Sequence, residues 1–142
     1  MSEPADSIVY PGSEHYTPEE LAAPGSRPLD LGGQPLARAT KTAYIMFQVP
    51  DLARQKAFLQ DFGMVEAGHS ESVLYMRGFG SDPYIYVARK GGEARFLGAG
   101  FVVDSKDDLD QVAAATGCPV EAVDGPGAGV RVRLTDPDGF FV

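Results

Sequence analysis

The chain has 142 residues, of which 44% are hydrophobic and 23% are charged, values that are typical of one globular domain and exclude a disordered or collagen-like chain. Its formal net charge of −8 argues against a surface that binds the phosphates of nucleic acids. No stretch has the length of an apolar membrane span and the first ten residues lack the pattern of a secretory signal, so we expect neither a membrane nor a secreted location. The single cysteine, Cys118, cannot form an internal disulfide and favours a reducing cytoplasm.

Proline is concentrated at the beginning of the chain, where six of the 11 prolines precede residue 41. Hydrophobic periodicity is absent there, so residues 1–40 are predicted to form an extension and not a folded unit. One local helix signal occurs within this extension. Thr17 can cap a helix, Pro18 suits the first helical position and Glu20 completes a capping box, which predicts a single helical turn.

Residues 42–90 predict a strand, a helix and three further strands. Residues 42–49 are aromatic and β-branched with alternating faces, as a strand requires. Asp51 is a suitable N-cap for a helix that Gly63 would end. Turn residues then separate three short strands, at about 64–69, 72–78 and 83–89.

Residues 95–142 predict the same order again. A strand over 96–103 precedes Ser105, which begins a helix that Gly117 ends. Short strands at 120–123 and at about 130–134 follow, and a tight turn over 136–139 reverses the chain into residues 140–142.

Neither half can bury the apolar face of its own sheet, so the repeat predicts two units that pack side by side. The predicted fold is therefore α+β, with residues 41–142 as one domain built from paired βαβββ modules. A curved, mostly antiparallel sheet would carry helices on its convex face and leave an open groove between the halves.

Residues 41–142 resemble the vicinal oxygen chelate superfamily, which includes glyoxalase I, bleomycin resistance proteins and extradiol ring-cleaving dioxygenases. The resemblance rests on the order and spacing of four segments, which are 49–52, 58–63, 101–104 and 134–140. The N-terminal domains of the ring-cleaving dioxygenases are the most similar, because runs like residues 74–78 and 125–127 occur in them.

The resemblance implies a groove that holds a divalent metal with ligands from the first and last strand of each module. In this chain Tyr44 and Gly98 occupy the two first-strand positions, and residues 85–87 offer no carboxylate on the last strand of the first module. The last acidic ligand would follow Val142. Neither of the two histidines falls at a ligand position. We therefore predict that this chain binds no metal or other cofactor.

Tyr44, Met46 and Gln48 share the face of the first strand that should line the groove. With Tyr86 and the neighbouring tyrosines of the first module, they suggest a pocket for a ring-shaped ligand. The alternative, that Tyr44 and Met46 fill a vestigial cavity as core, agrees better with the usual burial of such residues. The further candidates for lining the groove are Tyr75, Tyr84, Arg131 and Arg133.

Arg131 and Arg133 alternate along one strand, and Arg77 has a comparable place in the other half. Together they could bind a carboxylate or a phosphate with two parallel hydrogen bonds. A solvated or ion-paired strand face explains the same pattern, and it is the simpler interpretation.

The resemblance implies one leading function and two alternatives. The chain is expected to be the non-catalytic N-terminal domain of an extradiol dioxygenase that cleaves a catechol-like ring, with Fe(II) in a C-terminal domain beyond Val142. That domain, or a second subunit in a homo-oligomer, would be its partner. The first alternative is a metal-free protein of the bleomycin-resistance type that binds an aromatic or drug-like molecule, for which the acidic charge would suit a cation. A glyoxalase-like or epimerase-like metal enzyme is the second, and Tyr44 and Gly98 argue against it.

Overall fold

The computed structural model describes residues 35–142, in which the order strand, helix and strands occurs twice, with three strands after the first helix and two after the second. The helical turn predicted at Thr17 lies outside the described residues. In the first module, strand β1 covers Ala39–Val49 and helix α1 covers Leu52–Asp61. The remaining strands of this module are β2 at Val65–His69, β3 at Val73–Arg77 and β4 at Tyr86–Lys90.

The second module contains strand β5 at Arg95–Val103 and helix α2 at Lys106–Thr116. Two short strands follow, β6 at Val120–Ala122 and β7 at Val130–Val132. Neither α1 nor α2, the helices of the described residues, has the length and apolar character needed to cross a membrane.

Both helices begin at the predicted caps. The carboxylate of Asp51 accepts a hydrogen bond from the backbone N–H of Arg54 at 3.0 Å, and the hydroxyl of Ser105 accepts one from Asp108 at 3.2 Å. Each bond satisfies a backbone donor that has no partner inside its helix. Gly117 ends α2 with a φ of 74°, a left-handed conformation that glycine adopts without steric cost.

Five strands form one sheet in the order β2-β3-β4-β1-β5, and β6 pairs with β7 in a separate two-stranded sheet. Strand β1 runs parallel to β4 and antiparallel to β5, so it lies at the junction of the two modules. The chain after β7 turns back to β5, where Phe141 forms bridges with Gly98 and Thr135. The predicted α+β architecture is confirmed, although the second module contributes less regular sheet than the first.

One pair of backbone hydrogen bonds demonstrates the relationship between the modules. The N–H of Ile45 donates to the carbonyl of Ile85 at 3.1 Å, and the N–H of Ala99 donates to the carbonyl of Phe141 at 3.1 Å. The separation between Ile45 and Ala99 along the chain equals the separation between the helix caps Asp51 and Ser105. In each module, the first strand therefore forms a backbone hydrogen bond with the last segment of the same module, at an equivalent position.

The two faces of the large sheet carry different clusters of apolar side chains. The cluster under α1 contains Leu74 and Met76, which are 2% and 0% exposed, and the helix residue Leu59. The cluster on the opposite face is built around Met46, Tyr84 and Val87. Helix α2 has no buried residue, so the second module is the more loosely packed half.

The predicted start of the first strand differs from the start in the structure. Strand β1 begins at Ala39 and not at residue 42, because its first residues pair with Val102 and Val103 at the far end of β5. This part of β1 is exposed and reads as polar in the sequence, so hydrophobic alternation gives no sign of it.

Candidate functional site

A cavity of about 310 Å³ opens on the face of the large sheet opposite α1. Its floor consists of Met46 on β1 and Val87 on β4, which are paired across the parallel ladder. Since side chains alternate between the faces of a strand, Tyr44 and Arg89 point to this same face. The remaining walls come from β2, β3, β7 and from the segments after β2, before β4 and after β6. They are formed by His69, Ser70, Val73, Tyr75, Tyr84, Val123, Asp124 and Arg131.

Three tyrosines form a contiguous aromatic wall in this cavity. The ring of Tyr84 lies between those of Tyr44 and Tyr75, with ring centroids 5.3 Å and 5.0 Å apart in tilted geometry. Burial raises the pKa of the Tyr84 phenol, and the neighbouring phenols of Tyr44 and Tyr75 raise it further. Tyr84 therefore stays protonated and can donate a hydrogen bond. In the described part of the chain, neither Tyr75 nor Tyr84 has a hydrogen-bond partner for its hydroxyl.

Glycines let the backbone approach these rings. A Cβ atom at Gly100 would come within 2.5 Å of Cε1 of Tyr44, and one at Gly125 within 2.9 Å of Cε1 of Tyr75. Gly100 is the cross-strand partner of Tyr44 in the β1–β5 ladder. The positions of both rings thus depend on residues that have no side chain.

Arginine side chains supply positive charge to one side of the cavity. Arg131 donates from Nε to the carboxylate of its cross-strand partner Glu121 at 2.8 Å, and Arg133 donates to the same oxygen at 2.9 Å. Burial alone would lower the pKa of Arg131, but its hydrogen bond to Glu121 and the neighbouring phenol of Tyr44 outweigh that effect and raise it. The hydrogen bond from Arg131 is also the main reason that the pKa of Glu121 lies below its ordinary value.

Arg89 is placed differently. It is half-buried at the edge of the cavity, where its Nε donates to the sulfur of Met46 at 3.3 Å. It takes part in none of the ion pairs found within residues 35–142. A thioether is a weak acceptor, so most of the hydrogen-bonding capacity of this guanidinium group is unused.

The structure brings together only part of the predicted groove lining. Tyr44, Met46 and Arg131 line the cavity, together with Tyr75 and Tyr84. Gln48 shares their strand face but lies beyond the cavity, where its amide donates to the carbonyl of Glu93 at 3.0 Å. Arg133 lines a second, wider hollow of about 760 Å³ between β5, β7 and α2, which continues from the cavity past Tyr44 and Met46.

The prediction that Tyr86 lines the groove is wrong. The register that pairs Ile45 with Tyr86 places this tyrosine on the α1 side of the sheet. There it stacks on Phe47 at a centroid distance of 5.6 Å and accepts a hydrogen bond from Gln55 of α1 at 3.0 Å. Burial raises its pKa. Alternation along residues 83–89 allows either face, and the register is fixed only by pairing with β1.

Three ionisable residues that line the cavity were not among the residues predicted to line the groove. Arg89, His69 and Asp124 come from the ends of strands or from the segment after β6, where no periodic pattern marks a buried face. Their polar character alone is typical of an exposed loop. The histidine contacts Glu66, which also contacts Lys56, and these two interactions lower the pKa of Glu66.

The residues present do not fit a metal between the two modules. The phenol of Tyr44 lies beside the cationic Arg131, which disfavours a second cation. Gly98 has no side chain, and a Cβ atom there would lie 2.0 Å from the carbonyl oxygen of Phe141. Residues 35–142 contain no cluster of three or more His, Cys, Asp or Glu side chains that could hold a metal.

Comparison with known proteins gives matches at the level of structure. No protein-family model matches the chain, and no curated protein matches it by sequence. The solved structures that match include a Mn(II)-bound glyoxalase from Novosphingobium aromaticivorans, which has a TM-score of 0.64 and 26% identity over 74% of this chain and 38% of that chain.

Homoprotocatechuate 2,3-dioxygenase from Brevibacterium fuscum, in complex with 3,4-dihydroxyphenylacetate, matches with a TM-score of 0.63 and 28% identity over 80% of this chain and 38% of that chain. A second structure of an extradiol ring-cleaving dioxygenase from B. fuscum has a TM-score of 0.60 and 29% identity over 75% of this chain and 32% of that chain. This chain thus spans between 32% and 38% of these three proteins. The repeated order of strand, helix and strands, the order of the motifs and these matches identify residues 35–142 as a domain of the vicinal oxygen chelate superfamily.

Proposed function

We propose that this chain is the non-catalytic domain of an extradiol-type dioxygenase, whose catalytic Fe(II) is held by a separate domain. The matched dioxygenases support this proposal, since this chain corresponds to only part of their length. The observation that carries it is the chemistry between the modules, where Tyr44 beside Arg131 and the filled space at Gly98 replace the donors that a divalent metal needs.

Such a domain would contribute packing surface and not chemistry. The second module leaves large apolar side chains partly exposed, among them Phe101 at 48% and Val130 at 45%. Contiguous exposed apolar surface is typical of a face that another domain or subunit covers. We propose a catalytic domain or a second copy of this chain as the partner, and the cytoplasm as the location.

Metal binding and the gene sequence test this proposal together. The purified 142-residue chain, incubated with Fe(II) or Mn(II) without oxygen and then desalted, is expected to retain no stoichiometric metal by elemental analysis. The natural reading frame is expected to continue past Val142 with two histidines and one glutamate of the catalytic domain. One equivalent of tightly bound metal that Tyr44→Phe removes would contradict the proposal.

A second candidate function is the binding of a small molecule by this domain itself. The aromatic cavity favours it, because a hollow of about 310 Å³ with three tyrosines and two arginines has the size and the mixed character of a ligand site. A stop codon close after Val142, together with saturable ligand binding by the chain, would favour this function over the first.

A further inference from the structure

We propose that the cavity between β1, β3, β4 and β7 binds a single-ring aromatic carboxylate, an inference that rests on the second candidate function. The carboxylate would pair with Arg89, and the ring would lie against the wall formed by Tyr44, Tyr75 and Tyr84. The anionic ligand class follows from the local charge, which is opposite to the charge of the whole chain.

Arg89 is the anchor of this site. Its guanidinium group lines the cavity, is half-buried and has a thioether sulfur as its partner, with no carboxylate paired to it in residues 35–142. A half-buried cation without a counter-ion is costly, and a carboxylate that bound it with two parallel hydrogen bonds would relieve that cost. Arginine suits this role better than lysine because its planar fork matches the two oxygens of a carboxylate.

The neighbouring charges leave the cavity positive. Glu121 accepts hydrogen bonds from both Arg131 and Arg133, so its one negative charge does not neutralise the two arginines. Asp124 is the one carboxylate among the described residues that line the cavity. An anion would therefore meet more positive than negative charge here, although the chain as a whole carries −8.

The tyrosines define the rest of the ligand. The part of the cavity beside the tyrosines has a volume of about 310 Å³, which suits one ring, and a substituent on that ring can extend past Tyr44 and Met46 into the wider hollow. Tilted aromatic faces and the apolar floor of Met46 and Val87 favour an aromatic ring over an aliphatic chain. The unpartnered hydroxyls of Tyr75 and Tyr84 can donate hydrogen bonds to oxygen atoms of the ligand.

The experiment titrates the 142-residue chain with four defined probes. Benzoate carries the ring and the charge, benzamide keeps the ring without the charge, benzylamine reverses the charge, and acetate keeps the charge without the ring. Binding is followed by calorimetry and by the NMR shifts of the tyrosine ring protons. We expect saturable binding of benzoate that is about tenfold or more tighter than binding of the other three, since one charge-assisted contact accounts for that ratio.

Substitutions then test the anchor. Arg89→Gln is expected to weaken benzoate binding about tenfold or more, while Arg89→Lys is expected to have a smaller effect because it keeps the charge. Arg54→Gln is the matched control, since Arg54 is an exposed arginine on α1 that does not line the cavity. Circular dichroism of each variant separates loss of binding from loss of folding. If Arg89→Gln does not fold, the benzoate affinity of Arg89→Lys still tests the anchor.

The outcomes separate this inference from the function on which it rests. Equal or tighter binding of benzylamine or benzamide would overturn the anionic class but leave a small-molecule site in place. Acetate binding as tightly as benzoate would overturn the role of the tyrosine wall. Unchanged benzoate affinity in Arg89→Gln would overturn the anchor. If no ring compound binds, both this inference and the second candidate function fail, while the proposal of a non-catalytic domain stands or falls on the metal and gene tests.

Discussion

The ring of Tyr44 lies directly over Gly100, its partner in the antiparallel pairing of β1 with β5. A single methyl group at Gly100 would come within 2.5 Å of Cε1 of this ring. On its cavity side the same ring contacts Tyr84 at a centroid distance of 5.3 Å. A residue without a side chain at one edge of the sheet therefore sets the position of the aromatic wall that faces the cavity.

Replacing Gly100 with alanine tests this dependence. The backbone of Gly100 has no positive φ, so alanine is compatible with the strand, but the methyl group must displace the Tyr44 ring. We expect Gly100→Ala to lower the free energy of unfolding by about 1–3 kcal/mol through overpacking. It should also shift the NMR signals of the Tyr44 ring and weaken benzoate binding.

Thermal unfolding and the ring spectra measure both effects of Gly100→Ala. Gly92→Ala is the matched control, since nothing lies within 4 Å of a Cβ atom at Gly92, and a change within about 0.5 kcal/mol is expected there. A Gly100→Ala protein with the stability and the Tyr44 signals of the unsubstituted chain would contradict the proposed dependence.

Local signals in the sequence were sufficient to predict the helices and strands and their repetition along the chain. Asp51 and Ser105 mark helix starts because each can accept a hydrogen bond from a backbone donor three residues later, a requirement that is independent of the rest of the fold. Gly63 and Gly117, with φ of 84° and 74°, mark helix ends for a similarly local reason. These four residues mark the start and the end of the one helix in each module.

The site depends on information that local patterns do not contain. Tyr84 and Tyr86 lie two residues apart in one aromatic run, yet Tyr84 belongs to the cavity and Tyr86 to the core under α1. The chain between them leaves the ideal strand, because β4 begins only at Tyr86. Arg89 is likewise polar at the end of a strand, and only the pairing of β1 with β4 reveals that it faces the cavity.

The position of Tyr86 makes a prediction that distinguishes it from the tyrosines of the cavity. Tyr86→Phe retains the stacking on Phe47 but loses the hydrogen bond from Gln55, so the free energy of unfolding should fall by about 0.5–1.5 kcal/mol. Benzoate affinity should not change. Chemical denaturation and calorimetry measure the two quantities.

Tyr75→Phe is the comparison for Tyr86→Phe, because the hydroxyl of Tyr75 has no partner in the described chain. Its stability should stay within about 0.5 kcal/mol of the parent, and any change should be in ligand affinity. A larger loss of benzoate binding in Tyr86→Phe than in Tyr75→Phe would mean that Tyr86 lines the ligand site. It would contradict the register that pairs Tyr86 with Ile45.

The ion pairs of Glu121 predict a dependence of stability on acid. Hydrogen bonds from Arg131 and Arg133 hold the pKa of Glu121 below its ordinary value of 4.5 in the folded chain. As the pH falls, the unfolded chain therefore takes up the proton before the folded chain does. The contribution of Glu121 to the free energy of unfolding is fully present above pH 4.5 and is lost below it. Glu121→Gln should lower the melting temperature at neutral pH.

The difference in melting temperature between the parent chain and Glu121→Gln should shrink as the pH is lowered through 4.5 and below. Glu71→Gln serves as the control, because Glu71 is exposed and forms no ion pair in residues 35–142. A difference that is constant from neutral pH to pH 3 would mean that Glu121 acts through packing and not through its charge.

Gly98 connects the end of the second module to its first strand. It has a φ of 147°, and a Cβ atom would meet the carbonyl oxygen of Phe141 at 2.0 Å, so alanine is excluded by both backbone conformation and space. Gly98→Ala should break the hydrogen bonds that join Phe141 to Leu97 and Ala99, at 2.8 and 3.1 Å.

Amide hydrogen exchange of Ala99 and Phe141 should accelerate in Gly98→Ala, while the amides of β3 keep their protection because the first module has its own core. Gly80→Ala is the control, since Gly80 has no positive φ and nothing within 4 Å of a Cβ atom. Unchanged exchange at Ala99 and Phe141 would show that the position can hold a side chain. The space between the modules would then be open to an engineered histidine ligand, and the argument against a metal at Gly98 would lose its steric basis.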